Sequence, residues 1–157
     1  MTDTERVSVI IPTYNRAHTI ARAIDSLLTQ TRPPDEIIVV DDGSNDNTLE
    51  VLERYVGKIS LIVSPRNEGQ PAARNRALDA ATGDFIAFLD SDDTLPIDSI
   101  ERRLTELRQN PDYDVVYGDA LLIDDSTNQP MDVFSKLYPT KRLSGDIYHL
   151  FIQKNLM

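Results

Sequence analysis

At 157 residues with a formal net charge of -10, the chain has the length of one compact domain, and its charge argues against sequence-independent nucleic-acid binding. Its 40% apolar and 27% charged residues match a packed globular protein rather than a disordered or coiled-coil one. There is no cysteine, which excludes disulfides, thiolate metal sites and a cysteine nucleophile.

The first six residues are polar, and no run approaches the roughly 18 apolar residues that span a membrane. A cytoplasmic protein is expected, making at most peripheral contact with a membrane. Val7 to Ile11 is a β-branched apolar run closed by Pro12 and reads as a buried strand. Ile20, Ile24, Leu27 and Leu28 follow at helical spacing, with Arg16, Arg22 and Gln30 off the stripe, and Pro33 and Pro34 stop the helix. Glu36 to Val40 repeats the strand pattern and runs into Asp41-Asp42-Gly43-Ser44.

Asn47 and Glu50 have the spacing of a capping box, opening an amphipathic helix through Thr48, Val51, Leu52 and Tyr55. Ser60 to Val63 reads as a third strand. Gln70 to Ala81 is alanine-rich, which predicts a helix able to approach the sheet closely before Gly83 ends it. Phe85 to Leu89 is a fully apolar strand delivering Asp90, Asp92 and Asp93 at its tip. Pro96 suits the first turn of a helix carrying Ile97, Ile100, Leu104 and Leu107, which Asn110-Pro111 closes. Val115 to Tyr117 and Leu121 to Ile123 read as further strands, and Leu143 to Leu156 holds one more helix.

Strands alternating with helices predict an α/β fold with right-handed crossovers and a mostly parallel sheet covered on both faces. Residues 1–157 are expected to form a single domain. In such sheets ligands sit beyond the carboxyl ends of the strands, so the residues that follow strands carry most weight. Three ends stand out: Pro12-Thr13-Tyr14-Asn15, Asp41-Asp42-Gly43-Ser44 and Asp90-Ser91-Asp92-Asp93. Carboxylates gathered at one rim repel by roughly 4 kcal/mol per close pair at an effective dielectric near 20. A divalent cation offsets that repulsion. Oxygen ligands without Cys or a His pair select a hard ion, Mg2+ or Mn2+, shared with ligand phosphates. A nucleoside diphosphate is the ligand this predicts.

The phrases Val7-Ser8-Val9-Ile10-Ile11-Pro12-Thr13-Tyr14-Asn15, Val40-Asp41-Asp42-Gly43-Ser44, Asn67-Glu68-Gly69 with Ala73-Arg74-Asn75, and Phe88-Leu89-Asp90-Ser91-Asp92-Asp93 resemble the family 2 glycosyltransferases. The resemblance runs in order from Val7 to about Asp124. It implies a GT-A fold, a Rossmann-like three-layer α/β/α arrangement, and transfer of a sugar from a nucleotide donor, a UDP-sugar, with inversion. It also implies roles. Tyr14 and the backbone around Pro12 and Thr13 cradle the base, and Asp42, with Asp41 the weaker candidate, accepts the uracil imide N–H. Asp90-Ser91-Asp92 corresponds to the DxD motif, with Asp92 on the metal and Asp90 toward the ribose and metal. Gly69, Arg74 and Asn75 line the same side. The partners implied are a nucleotide-sugar donor and a glycan or lipid-linked acceptor in cell-surface polysaccharide or glycolipid synthesis.

The family's catalytic base is an Asp of a later Glu-Asp pair, and no Glu-Asp dipeptide occurs here. The base and the acceptor-binding region are therefore expected beyond Met157, the chain holding the donor half. Two alternatives stand beside this reading: a nucleotide-binding module without turnover, and a receiver-like domain that accepts a phosphoryl group. His18 and His149 are too isolated to form a metal pair. Tyr138, Tyr148 and Phe151 fit either an acceptor surface or apolar cover for a further domain.

Overall fold

The computed structural model describes residues 5–124, 126–127 and 129–137. The helix expected within Leu143 to Leu156 lies outside the described residues, as do His149, Tyr138, Tyr148 and Phe151. The chain divides into two compact units, with the boundary between Asp114 and Val115.

The first unit contains strands β1 (Val7–Thr13), β2 (Glu36–Asp41), β3 (Ser60–Val63) and β4 (Phe85–Phe88), and helices α1 (Ile20–Leu28), α2 (Thr48–Glu53), α3 (Gln70–Ala80) and α4 (Ser99–Gln109). The four strands form one parallel sheet in the order β3-β2-β1-β4. β1 is buried at every position because it sits between β2 and β4 with helices on both faces. Val7, Val9, Ile11, Ile37 and Val39 project to one face, against Ile20, Ile24 and Leu27 of α1, Leu52 of α2 and Leu104 of α4. Ile10, Ile38 and Val40 project to the other, against Ala73 and Ala77 of α3. The small alanine side chains let α3 lie close to the sheet.

Several expectations need correction. Among the described residues, coverage on both faces is complete for β1 and β2, whereas β4 alternates, with Ile86 and Phe88 exposed on the face that carries Ile10. The capping box does not form, since Asn47 makes no side-chain cap bond. Asp46 replaces it, its Oδ1 accepting from the Thr48 amide at 2.9 Å. Pro96 precedes α4 rather than opening it, and its carbonyl accepts from the Ser99 amide and from Gln30 Nε2 at 2.7 Å. Gln30 is consequently buried between α1 and α4, where its Oε1 also accepts from the Ile100 amide. A buried polar side chain that satisfies two elements is invisible to a stripe analysis.

In the second unit, Val115 to Tyr117 is not a strand. β5 (Leu121–Asp124) instead pairs antiparallel with β6 (Gln129–Val133), followed by the short α5 (Phe134–Leu137). β6 carries Pro130 and two charged or amide residues in five, so its sequence has little strand signal. Among the described residues no helix is long and apolar enough to cross a membrane.

Candidate functional site

The carboxyl ends of β1, β2 and β4 meet the N-terminus of α3 around a cavity of about 410 Å³, within the range of small-molecule sites. Its walls are Pro12, Thr13, Tyr14 and Arg16 after β1, Asp42 after β2, Asn67, Gly69, Gln70 and Ala73 around the start of α3, and Asp90, Ser91 and Asp92 after β4.

The loops after β1 and β2 are stitched together. Asn15 sits in the left-handed region at φ 52°, where its amide donates to Ser44 Oγ and its Oδ1 accepts from the Asn45 amide, both at 2.9 Å. The next amide, of Arg16, donates to Thr48 Oγ1 at 2.9 Å. Gly43, at φ 74°, turns the chain so that the Arg66–Asn67 backbone passes where a Cβ would stand.

Asp42 anchors the next wall. Its amide donates to the Thr13 carbonyl, and its Oδ2 accepts from the amides of Glu68 and Gly69 at 3.0 and 2.7 Å. Its Oδ1 has no hydrogen bond, with Arg76 Nη1 3.6 Å away. Arg76 also bonds Ser64 Oγ and Glu68 Oε2. These contacts hold Glu68 below the usual carboxylate range, the Arg76 hydrogen bond being the main cause and Arg66 the second.

At the third wall, Asp90 Oδ1 accepts from Arg74 Nη2 at 2.7 Å and from Gln70 Nε2 at 3.0 Å. The Arg74 guanidinium lies 5.6 Å from the Phe88 ring centre, a cation–π contact that fixes its direction. Asp92 Oδ2 is 3.4 Å from Arg16 Nε. Asp93 is pushed above the usual range, first by burial and then by the charges of Asp92 and Asp90. Negative charge is therefore concentrated at this rim.

Of the residues singled out in the sequence, Pro12, Thr13, Tyr14, Asp42, Gly69, Asp90, Ser91 and Asp92 share the cavity. Asp41 does not: it is fully buried, and its Oδ2 accepts from the Ser44 amide, which holds the turn. Arg74 is set back from the cavity and acts on it through Asp90. Asn75 is exposed on α3 and is not among the lining residues. His18 is exposed in the turn before α1. Asn67, Gln70 and Ala73 line the cavity and were not singled out for it. Helical spacing places Arg16 off the α1 stripe, although it stands two residues after Tyr14 in a post-strand loop. That position was the available signal.

No group of three or more His, Asp or Glu side chains converges as a metal-binding set among the described residues. Asp90 and Asp92 are two oxygen donors in one cavity. That set fits a hard cation only if phosphate and water complete its shell, as is usual for Mg2+.

The sequence profile described as Glycosyl transferase family 2 matches residues 8–152. The chain belongs to glycosyl transferase family 2. A relative in Escherichia coli, UDP-Glc:alpha-D-GlcNAc-diphosphoundecaprenol beta-1,3-glucosyltransferase WfgD, is 40% identical over 122 residues, covering 77% of this chain and 48% of its own. The chain thus spans about half the length of that relative. Among solved structures, S. aureus TarS 1-349 in complex with UDP is 38% identical with a TM-score of 0.61, covering 68% of this chain and 33% of that one. The mannosyltransferase PcManGT from Pyrobaculum calidifontis, in complex with GDP-Man and Mn2+, is 34% identical with a TM-score of 0.56, over 60% of this chain and 30% of its own. The fold is accordingly the GT-A type of the family 2 glycosyltransferases, α/β with a parallel central sheet.

Proposed function

We propose that this chain is the donor-binding part of an inverting, metal-dependent glycosyltransferase that uses a UDP-sugar. The observation that carries the reading is that Asp42 and Asp92, 50 residues apart in sequence, line one cavity at the strand ends. The UDP complex of TarS supports the nucleotide, and the Mn2+ complex of PcManGT supports the metal.

In this reading Tyr14, half exposed beside Pro12 and Thr13, stacks on the base, and Asp42 takes the imide N–H. Asp42 Oδ1, which accepts no hydrogen bond and has Arg76 Nη1 3.6 Å away, suits that role, since a buried acceptor without a hydrogen bond is costly unless a ligand completes it. Asp90, held by Arg74 and Gln70, faces the ribose. Mn2+ or Mg2+ would be held by Asp92, with Asp90 near it, and would supply charge neutralisation at the diphosphate as the sugar departs. The proton of the acceptor hydroxyl needs a base, and none is assigned within these residues.

The relative in Escherichia coli has a lipid-linked acceptor in its name. By that likeness we infer a lipid-linked or glycan acceptor in cell-surface polysaccharide synthesis, with the reaction in the cytoplasm against a membrane surface. Titration calorimetry of the 157-residue chain with UDP, in Mn2+, in Mg2+ and in chelator, tests the core of the reading. Binding that needs the cation is expected. Equal binding in chelator contradicts the metal role, and no binding under any condition contradicts the donor reading.

A further inference from the structure

Arg16 is the one cationic side chain lining the cavity among the described residues. The other two acidic groups of the cavity are neutralised from behind, Asp42 by Arg76 and Asp90 by Arg74. Asp92 differs, because its partner Arg16 shares the cavity with it. The Asp90 and Asp92 ion pairs also differ in geometry. Arg74 reaches Asp90 at 2.7 Å, with side chains 35% and 43% exposed, and is braced by Phe88, whereas Arg16 and Asp92 are 3.4 Å apart with side chains 42% and 52% exposed. A half-exposed pair at that separation contributes little and exchanges at small cost.

The backbone beneath Arg16 is fixed. Its amide is bound to Thr48, its carbonyl accepts from the amides of Thr19 and Ile20, and the left-handed Asn15 before it is tied to Ser44 and Asn45. A long cation therefore stands on a rigid mount at the cavity wall, its Nη1 donating weakly to the Asn15 carbonyl at 3.4 Å and its Nε paired loosely with the carboxylate assigned to the metal.

We propose that Arg16 is a counter-ion that changes partner. In the nucleotide-free protein it pairs with Asp92 and competes with a bare cation for that carboxylate. When a diphosphate and its cation enter, Asp92 turns to the cation and Arg16 to the diphosphate oxygens. The chemistry favours the exchange because UDP carries more negative charge than one divalent ion cancels, and Asp92 adds to the excess. A guanidinium is suited to such oxygens, which it can bind with two parallel N–H donors. Its effect is to couple the cation to the nucleotide, since neither alone satisfies both Arg16 and Asp92. The inference rests on the donor reading above and assigns within it a phosphate-binding residue.

The test uses the whole chain with Arg16→Gln and Arg16→Lys variants. UDP in Mn2+ is measured by calorimetry, uridine by ligand-observed NMR, and Mn2+ without nucleotide by its free-ion electron paramagnetic resonance signal. Arg16→Gln is expected to weaken UDP by about tenfold to a hundredfold, the range of a lost charge-assisted hydrogen bond. Uridine binding should not change, and Mn2+ alone should bind more tightly than to the parent. Arg16→Lys should recover part of the UDP loss.

Unchanged UDP affinity in Arg16→Gln overturns the proposal while leaving the donor reading intact. An equal loss for uridine and UDP overturns it as well, because the residue then acts on the base or the fold. Mn2+ binding that is no tighter in Arg16→Gln removes the exchange. If the parent chain itself fails to bind UDP with Mn2+, the donor reading falls and this inference falls with it.

Discussion

The carboxylate of Asp42, at the end of β2, holds the amide of Gly69 at 2.7 Å, just before the first residue of α3. One side chain thus positions a cavity wall with one oxygen and leaves its other oxygen without a hydrogen bond. Asp42→Ala should therefore act twice. Loss of two charge-assisted hydrogen bonds should cost about 2–3 kcal/mol in urea unfolding. UDP affinity should fall without being lost, since base stacking and the diphosphate contacts remain. Full affinity in a destabilised variant would leave Asp42 a purely structural role.

Asp92 offers the opposite case. Its side chain is half exposed, and its ion pair with Arg16 is long at 3.4 Å. Asp92→Ala should shift stability by no more than about 0.5 kcal/mol, the usual range for surface substitutions. The enhancement of UDP binding by Mn2+ should disappear. Calorimetry with and without chelator reads this directly, and an enhancement that persists would move the metal to other ligands.

Gly43 is the position where the turn leaves no room. An added Cβ would stand 2.6 Å from the Arg66 carbonyl carbon, on a backbone at φ 74°. Gly43→Ala should cost about 2–4 kcal/mol, combining left-handed strain with displacement of a neighbouring backbone. Because the displaced segment leads into Asn67 at the cavity wall, UDP affinity should drop as well. Thermal unfolding and calorimetry on the same variant check both effects.

Asp46 links the loop before α2 to Ala17 and to Thr48. Burial pushes its carboxyl up, but hydrogen bonds from the Thr48 hydroxyl and amide and from the Ala17 amide outweigh this, so its pKa is lowered from the ordinary value. With the folded pKa below the unfolded one, its stabilisation is complete above the ordinary carboxylate pKa and is lost as pH falls through the lowered value. Asp46→Ala should cost about 1 kcal/mol at pH 7, as other losses of a helix-start acceptor do. The gap between parent and variant should narrow steadily below about pH 4. A gap independent of pH would refute the assignment.

The three strand ends were legible because apolar runs stop abruptly at Pro12, Asp41 and Asp90, and a change of that kind needs no tertiary knowledge. The resemblance ranks Asp42 above Asp41 but keeps both as base contacts, although adjacent strand-end residues point to opposite sides. Only the fold turned Asp41 into the turn, where it holds Ser44, and Asp42 into the cavity. Helical spacing places Arg16 and Gln30 off the apolar stripe. One lies before the helix and faces the cavity, and the other is buried under α4. Periodicity assigns faces, and it cannot see a neighbour that arrives from 66 residues away.

The sequence by itself determined the parallel α/β architecture, the rim that gathers the acidic residues, and membership of family 2, because strand and helix periods and contiguous phrases are local properties of the chain. Tertiary structure alone decided which charges face one another. The pairings Arg74 to Asp90, Arg76 to Asp42 and Arg16 to Asp92 each join separate elements. Electrostatic energy depends on distance through space, and distance along the chain does not carry that information.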